Sequence, residues 1–170
     1  EPKDITITKA QAAFHFSAET ALVNSVLAQA ALEDFQFFKE KFYISDLTQS
    51  EGATRLVLAR MEEGDPEAYR IEVSEQEICI SSAGEAGLFY ALQTLKQILL
   101  TNGCKNSKLS INDAPLYHYR GFMLDVGRYF YPVEEVKHFL DLIGGHKLNI
   151  FHWHLTEDQD GAWKLKNIRA

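Results

Sequence analysis

The segment between Gly121 and Leu155 limits the fold more than any other part of the chain. Gly121, Phe122, Met123 and Leu124 form a continuous apolar run between Arg120 and Asp125. A run without polar alternation reads as a strand covered on both faces. Pro132 follows where a helix can begin, because a missing N–H costs nothing at the first helical position. Val133, Val136, Phe139, Leu140 and Ile143 then recur at helical spacing and stop at Gly144 and Gly145. Residues 149–155 supply a second strand-like segment. Strand, helix and strand within roughly 36 residues make a βαβ unit, whose crossover sets the strands parallel and right-handed. Ligands of parallel α/β architectures meet the carboxyl ends of the strands, which here are residues 125–128 and 152–158.

Upstream of the turn Asn112-Asp113-Ala114-Pro115 the pattern is different. Ile5 and Ile7 alternate at period two, as do Phe14 and Phe16. Ser17 offers an N-cap, and Leu22, Val23, Val26, Leu27 and Ala30 predict a helix over residues 19–33. Leu56 and Leu58 mark a strand, and the turn residues of 62–66 end it. Tyr69, Ile71 and Val73, then Ile78 and Ile80, predict an antiparallel hairpin with one buried face. Ser82 and Glu85 have capping-box spacing ahead of a helix striped with Leu88, Leu92, Leu95 and Leu99, which stops near Asn102-Gly103. Leu109 and Ile111 suggest one more strand. The expected organisation is an α+β domain over residues 1–115, an antiparallel sheet with helices on one face, followed by a parallel α/β segment over 116–170.

Composition excludes several classes of function. The chain carries 17 Lys and Arg against 24 Asp and Glu, a net charge of −7, with no basic cluster. Nucleic acid and anionic membrane are therefore poor partners, since both need phosphates neutralised. The longest apolar run, 88–92, falls far short of the ~20 residues of a membrane helix. Cys79 and Cys104 cannot build a disulfide framework or a four-thiolate zinc site.

Four groups near the strand ends could carry chemistry. Arg128 has a rigid fork of donors suited to adjacent sugar hydroxyls or a carboxylate, and fits a surface loop equally well. Glu157 and Asp158 are adjacent, so on extended backbone they point apart and cannot flank one scissile bond. One of them can bind a substrate hydroxyl, or both can be solvated loop carboxylates. His152 and His154 share a strand face, as metal-binding imidazoles or as packed, hydrogen-bonded side chains. A metal-dependent barrel hydrolase using His152 and His154 is accordingly one alternative, and a non-catalytic scaffold is another. Trp153 alternates to the opposite, helix-packing face, and Trp163 lies in loop-like sequence.

Residues 119–137, YRGFMLDVGRYFYPVEEVK, and 146–159, HKLNIFHWHLTEDQ, resemble family 20 glycoside hydrolases, the β-N-acetylhexosaminidases. Residues 69–100, with AGEAGLFYALQTL at 83–95, are similar to the end of the α+β domain that precedes the barrel in that family. The resemblance implies a (β/α)8 barrel that removes terminal N-acetylhexosamine from glycans with retention. The sugar's own 2-acetamido carbonyl attacks the anomeric carbon, an Asp orients that group, and the neighbouring Glu is acid and then base. It implies no metal or other cofactor. By motif position Arg128 binds hydroxyls of the terminal sugar. Glu157 takes the place of a supporting acid that is more often Asp, keeping the charge and adding a methylene. The family usually continues Asp-Gln-Gly-Trp-Arg, whereas DQDGAWK at 158–164 inserts residues.

No Asp-Glu pair occurs in the chain, so the resemblance puts the acid/base pair beyond residue 170. A closed barrel takes ~200 residues or more, far longer than residues 116–170. The expectations are an N-terminal portion of a hexosaminidase, inactive by itself, that self-associates through the truncated barrel segment. An exported parent, periplasmic or extracellular, is expected from the family.

Overall fold

The computed structural model describes residues 4–7, 14–15, 21–24, 54–102, 105–106 and 108–156. The chain divides into two compact units, Glu1–Leu116 and Tyr117–Ala170.

In the first unit the alternating segments become strands: β1 (Asp4–Ile7), β2 (Phe14–His15), β3 (Ala21–Asn24), β4 (Arg55–Arg60), β5 (Tyr69–Val73) and β6 (Glu77–Ser82). Helix α1 (Glu85–Asn102) follows, then β7 (Lys105–Asn106) and β8 (Leu109–Asp113). A six-stranded sheet has the order β1-β8-β5-β6-β4-β3, and β2 pairs with β7 separately. The β5–β6 hairpin is antiparallel, as its alternation predicts, with Ile71 opposite Ile80 and Val73 opposite Ile78. β8 pairs antiparallel with both β5 and β1.

Two expectations are corrected. The sheet is mixed rather than antiparallel, because β4 runs parallel to β6 and β3 parallel to β4. The turn residues at 62–66 reverse the chain, but β6, not β5, takes the place beside β4. Both β4 and β6 run opposite to β5, so as neighbours they must be parallel. The helix expected over 19–33 gives way at Ala21–Asn24 to β3, paired with residues 55–58. Adjacent Leu22 and Val23 suit either period, and the ladder to β4 supplies the backbone partners that decide between them. Phe16, Ser17, the remainder of the helical pattern and the expected helix stop at Gly103 lie outside the described residues.

Helix α1 forms as its leucine stripe predicts. Leu88, Leu92, Leu95 and Leu99 are buried and share one core with Leu56, Leu58, Ile71, Ile78, Ile80 and Ile111. Each such side chain contributes about 1.5–3 kcal/mol by leaving water. The opposite sheet face carries polar pairs at its margins, with Arg55 and Glu77 paired at 2.9 Å and Arg70 Nε donating to Asn112 Oδ1 at 2.7 Å, and half-buried Val57 opposite Cys79. At the start of α1 the capping-box spacing is put to a different use. The buried Ser82 hydroxyl donates to the Ala68 carbonyl at 2.6 Å and accepts from the Gly84 N–H at 3.2 Å, tying the end of β6 to the preceding turn. Inside the core, the Tyr69 hydroxyl donates to Asp113 Oδ2 and accepts from Thr94 Oγ1, both at 2.7 Å. Among the described residues no helix is long and apolar enough to cross a membrane.

The second unit contains β9 (Gly121–Asp125), α2 (Val133–Gly145) and β10 (Ile150–His154). β9 and β10 are parallel, in register from Gly121 opposite Ile150 to Asp125 opposite His154. Pro132 occupies the N-cap place, one residue before the expected position. Glu134 and Glu135 put negative charge on the first turn, where the helix dipole favours it. At the other end Leu148 N–H bonds to the Ile143 carbonyl and Lys147 N–H to that of Gly144, a Schellman closure. Lys147 takes the left-handed conformation this closure needs, at φ 60°.

Leu124, Val126 and Val136 form the small core of this unit, with Tyr131, Phe139, Phe151 and Leu155 against it. The rings of Phe122 and Phe139 lie 5.4 Å apart between strand and helix. The apolar run of β9 predicts cover on both faces; within this unit α2 covers one, and Met123 on the other is 54% exposed. Arg120 and Asn149 brace the beginnings of both strands. Arg120 Nε donates to the Lys147 carbonyl at 2.8 Å, and Asn149 Oδ1 accepts the Arg120 N–H at 3.0 Å.

Candidate functional site at the carboxyl ends of the parallel strands

Side chains alternate along β10, so His152 and His154 share the face that carries Met123 and Asp125 on β9. Phe151 and Trp153 take the other face with Leu124, as the alternation predicts, but Trp153 is 47% exposed and is not part of the core expected for it. At the carboxyl ends Asp125 and His154 stand directly opposite one another, with His154 Nδ1 3.3 Å from Asp125 Oδ1. The ladder runs one step further, the Val126 N–H donating to the His154 carbonyl at 3.0 Å.

Asp125 is the organising side chain. Its Oδ1 accepts the backbone N–H groups of Gly127 at 3.0 Å and Arg128 at 3.2 Å. Its Oδ2 lies 3.4 Å from Arg128 Nε. Partial burial pushes this carboxyl upward. The N–H of Arg128, the hydrogen bond and charge of His154 and the N–H of Gly127 together outweigh burial and hold it below the usual aspartate range. The group is therefore ionised at neutral pH and acts as an acceptor.

Arg128, expected at this strand end, is found there with its side chain 75% exposed. The structure brings it together with Asp125 and His154, a grouping the sequence reading missed. The available signal was Asp125 two residues before Gly127, the spacing at which an aspartate bonds the backbone in a tight turn. His152 is exposed and stands two residues from the group. Among the described residues no cluster of three or more His, Cys, Asp or Glu side chains is arranged to hold a metal ion. Glu157 and Trp163 lie outside the described residues.

The model of glycosyl hydrolase family 20, domain 2, matches residues 1–114, and that of the family's catalytic domain matches residues 117–169. The chain belongs to glycosyl hydrolase family 20. This family 20 chain is 38% identical over 120 residues to a β-N-acetylhexosaminidase of Cellulomonas fimi, covering 67% of the chain and 24% of that protein. It is 34% identical over 119 residues to a β-hexosaminidase of Vibrio furnissii, covering 69% and 20%. Among solved structures it is similar to the exo β-N-acetylglucosaminidase of Vibrio harveyi in complex with N-acetylglucosamine. That likeness has a TM-score of 0.76 and 30% identity, covering 93% of the chain and 25% of the enzyme. The β-N-acetylhexosaminidase of Bacteroides fragilis superimposes with a TM-score of 0.78 at 26% identity, covering 92% and 32%. The chain thus spans between a fifth and a third of these proteins' lengths.

Proposed function

We propose that the family 20 chain is the N-terminal part of an exo-acting β-N-acetylhexosaminidase. In this reading residues 1–115 are the α+β domain before the barrel, and residues 116–170 are the opening βαβ of a (β/α)8 catalytic domain. The substrate is a glycan with a terminal N-acetylhexosamine, hydrolysed with retention by attack of its own acetamido carbonyl on the anomeric carbon. Arg128 binds hydroxyls of that sugar, and Glu157 supports the site after the second strand.

The observation that carries this reading is the anchored arginine at the carboxyl end of β9, held by Asp125 through both backbone and side chain. Parallel α/β enzymes bind ligands at that end, and a planar guanidinium matches neighbouring hydroxyls. The sequence holds no Asp-Glu pair, so the residues for the acid/base step come from outside residues 1–170. The 170-residue polypeptide is therefore expected to leave a chromogenic N-acetylglucosaminide intact. A longer chain that supplies the downstream pair is expected to turn it over, and Arg128→Ala is expected to reduce that turnover. Hydrolysis by the purified 170-residue chain above a buffer control would overturn the assignment of the missing pair. An unchanged rate in the Arg128→Ala variant would overturn the role of the arginine.

We also propose that the 170-residue chain self-associates through the second unit. Met123 on the helix-free face of β9 and Leu140 and Leu142 on α2 are exposed, and apolar groups so placed favour association.

A further inference from the structure

We propose that Asp125 is a positioning residue for Arg128, fixing its backbone and its guanidinium together, and that His154 fixes Asp125 from the neighbouring strand. The inference rests on the reading of Arg128 as the sugar-binding arginine and adds the device that aims it.

Four groups converge on one carboxylate. The N–H groups of Gly127 and Arg128 donate to Oδ1 at 3.0 and 3.2 Å, and His154 Nδ1 lies 3.3 Å from the same oxygen. Arg128 Nε lies 3.4 Å from Oδ2. The two backbone bonds bend the chain immediately after β9 and set where the arginine leaves it. The Nε contact then fixes one edge of a planar group, and fixing one edge of a plane restricts the direction of the rest. His154 is the residue opposite Asp125 in the ladder, and its carbonyl accepts the Val126 N–H at 3.0 Å. Side chain and backbone of one histidine therefore hold both the carboxylate and the start of the loop.

An ion pair with so exposed an arginine adds little to stability. Its consequence falls on binding. A long side chain already held in one orientation loses less freedom when substrate arrives. Arg128 touches substrate in this arrangement, whereas Asp125 and His154 act through it.

A double-mutant cycle in the hexosaminidase-active protein that contains this chain tests the idea. Asp125→Asn keeps an amide oxygen for the backbone N–H groups but turns an NH2 toward the guanidinium. Alone it should raise KM about tenfold with a smaller change in kcat. Combined with Arg128→Ala it should add nothing beyond Arg128→Ala. Effects that multiply in the double variant would overturn the proposal. An Arg128→Ala enzyme with unchanged kinetics would instead sink the sugar-binding reading, and a second measurement then judges the positioning separately. In the wild-type 170-residue chain, NMR signals of the Gly127 and Arg128 amides and of the Arg128 Nε–H should titrate with the Asp125 carboxyl on acidification. Signals that ignore that titration would refute the positioning role without any substitution.

Discussion

Tyr69 is only 4% exposed, yet its hydroxyl is fully engaged between Thr94 and Asp113. Burial is the main cause that raises its pKa above the usual tyrosine value, with Asp113 adding to the rise and the Thr94 bond opposing it. An acid with a raised folded value stabilises the fold fully below its unfolded pKa of ~10, and that contribution is lost as pH rises through the folded value. Urea midpoints measured from pH 8 to 11 should fall more steeply for the wild type than for Tyr69→Phe. At neutral pH the same variant should be about 1–3 kcal/mol less stable, because buried Thr94 and half-buried Asp113 lose their shared hydroxyl. Gly87 shows a different residue-level constraint: a Cβ there would strike the Ser82 hydroxyl and the Ala68 carbonyl. Gly87→Ala should destabilise by about 1–3 kcal/mol in denaturant, overpacking outweighing the gain in helix propensity. Neither effect was legible in the sequence. Tyr69 read as one more alternating apolar residue, and the crowding at Gly87 depends on where the 66–68 turn meets α1.

At the scale of elements, the closure of α2 falls on a lysine. Lys147 at φ 60° adopts a conformation that costs an L-residue about 1–2 kcal/mol. Lys147→Gly keeps the carbonyl that Arg120 uses and removes that strain. It should raise the stability of the second unit by about 1 kcal/mol, read as slower amide exchange at Leu148, whose N–H closes the motif. Sequence punctuation put the helix stop at Gly144-Gly145, and α2 does end at Gly145; the left-handed residue that closes it comes two residues beyond. The bonds to the Ile143 and Gly144 carbonyls close the last turn without a glycine in the left-handed place. Strands β5, β6, β9 and β10 were legible, since alternation or continuous apolar character over five or six residues leaves few options.

On the scale of the whole molecule, the two units differ in how much they bury. The first surrounds α1 with a continuous core, whereas the second rests on Leu124, Val126 and Val136. The proposed self-association follows from that difference. Light scattering on the 170-residue chain should give a mass that grows with concentration, and Met123→Lys should bring it toward the monomer. A monomeric mass over a wide concentration range would argue against it. Family membership has the opposite character to these packing effects. It rests on matches at 1–114 and 117–169 that follow the linear order of residues.

Asn112 and Asp113 read as a turn but are the last residues of β8. What the sequence by itself determined is the local elements with strong periodicity and the family. These depend on short-range spacing, which the chain carries explicitly. Tertiary structure alone decided the mixed order of the sheet and the strand at Ala21–Asn24, because both depend on which distant backbone offers hydrogen bonds. It also decided that Asp125 and His154 meet. They are far apart along the chain, and only the parallel register of β9 and β10 sets them opposite each other beside the arginine.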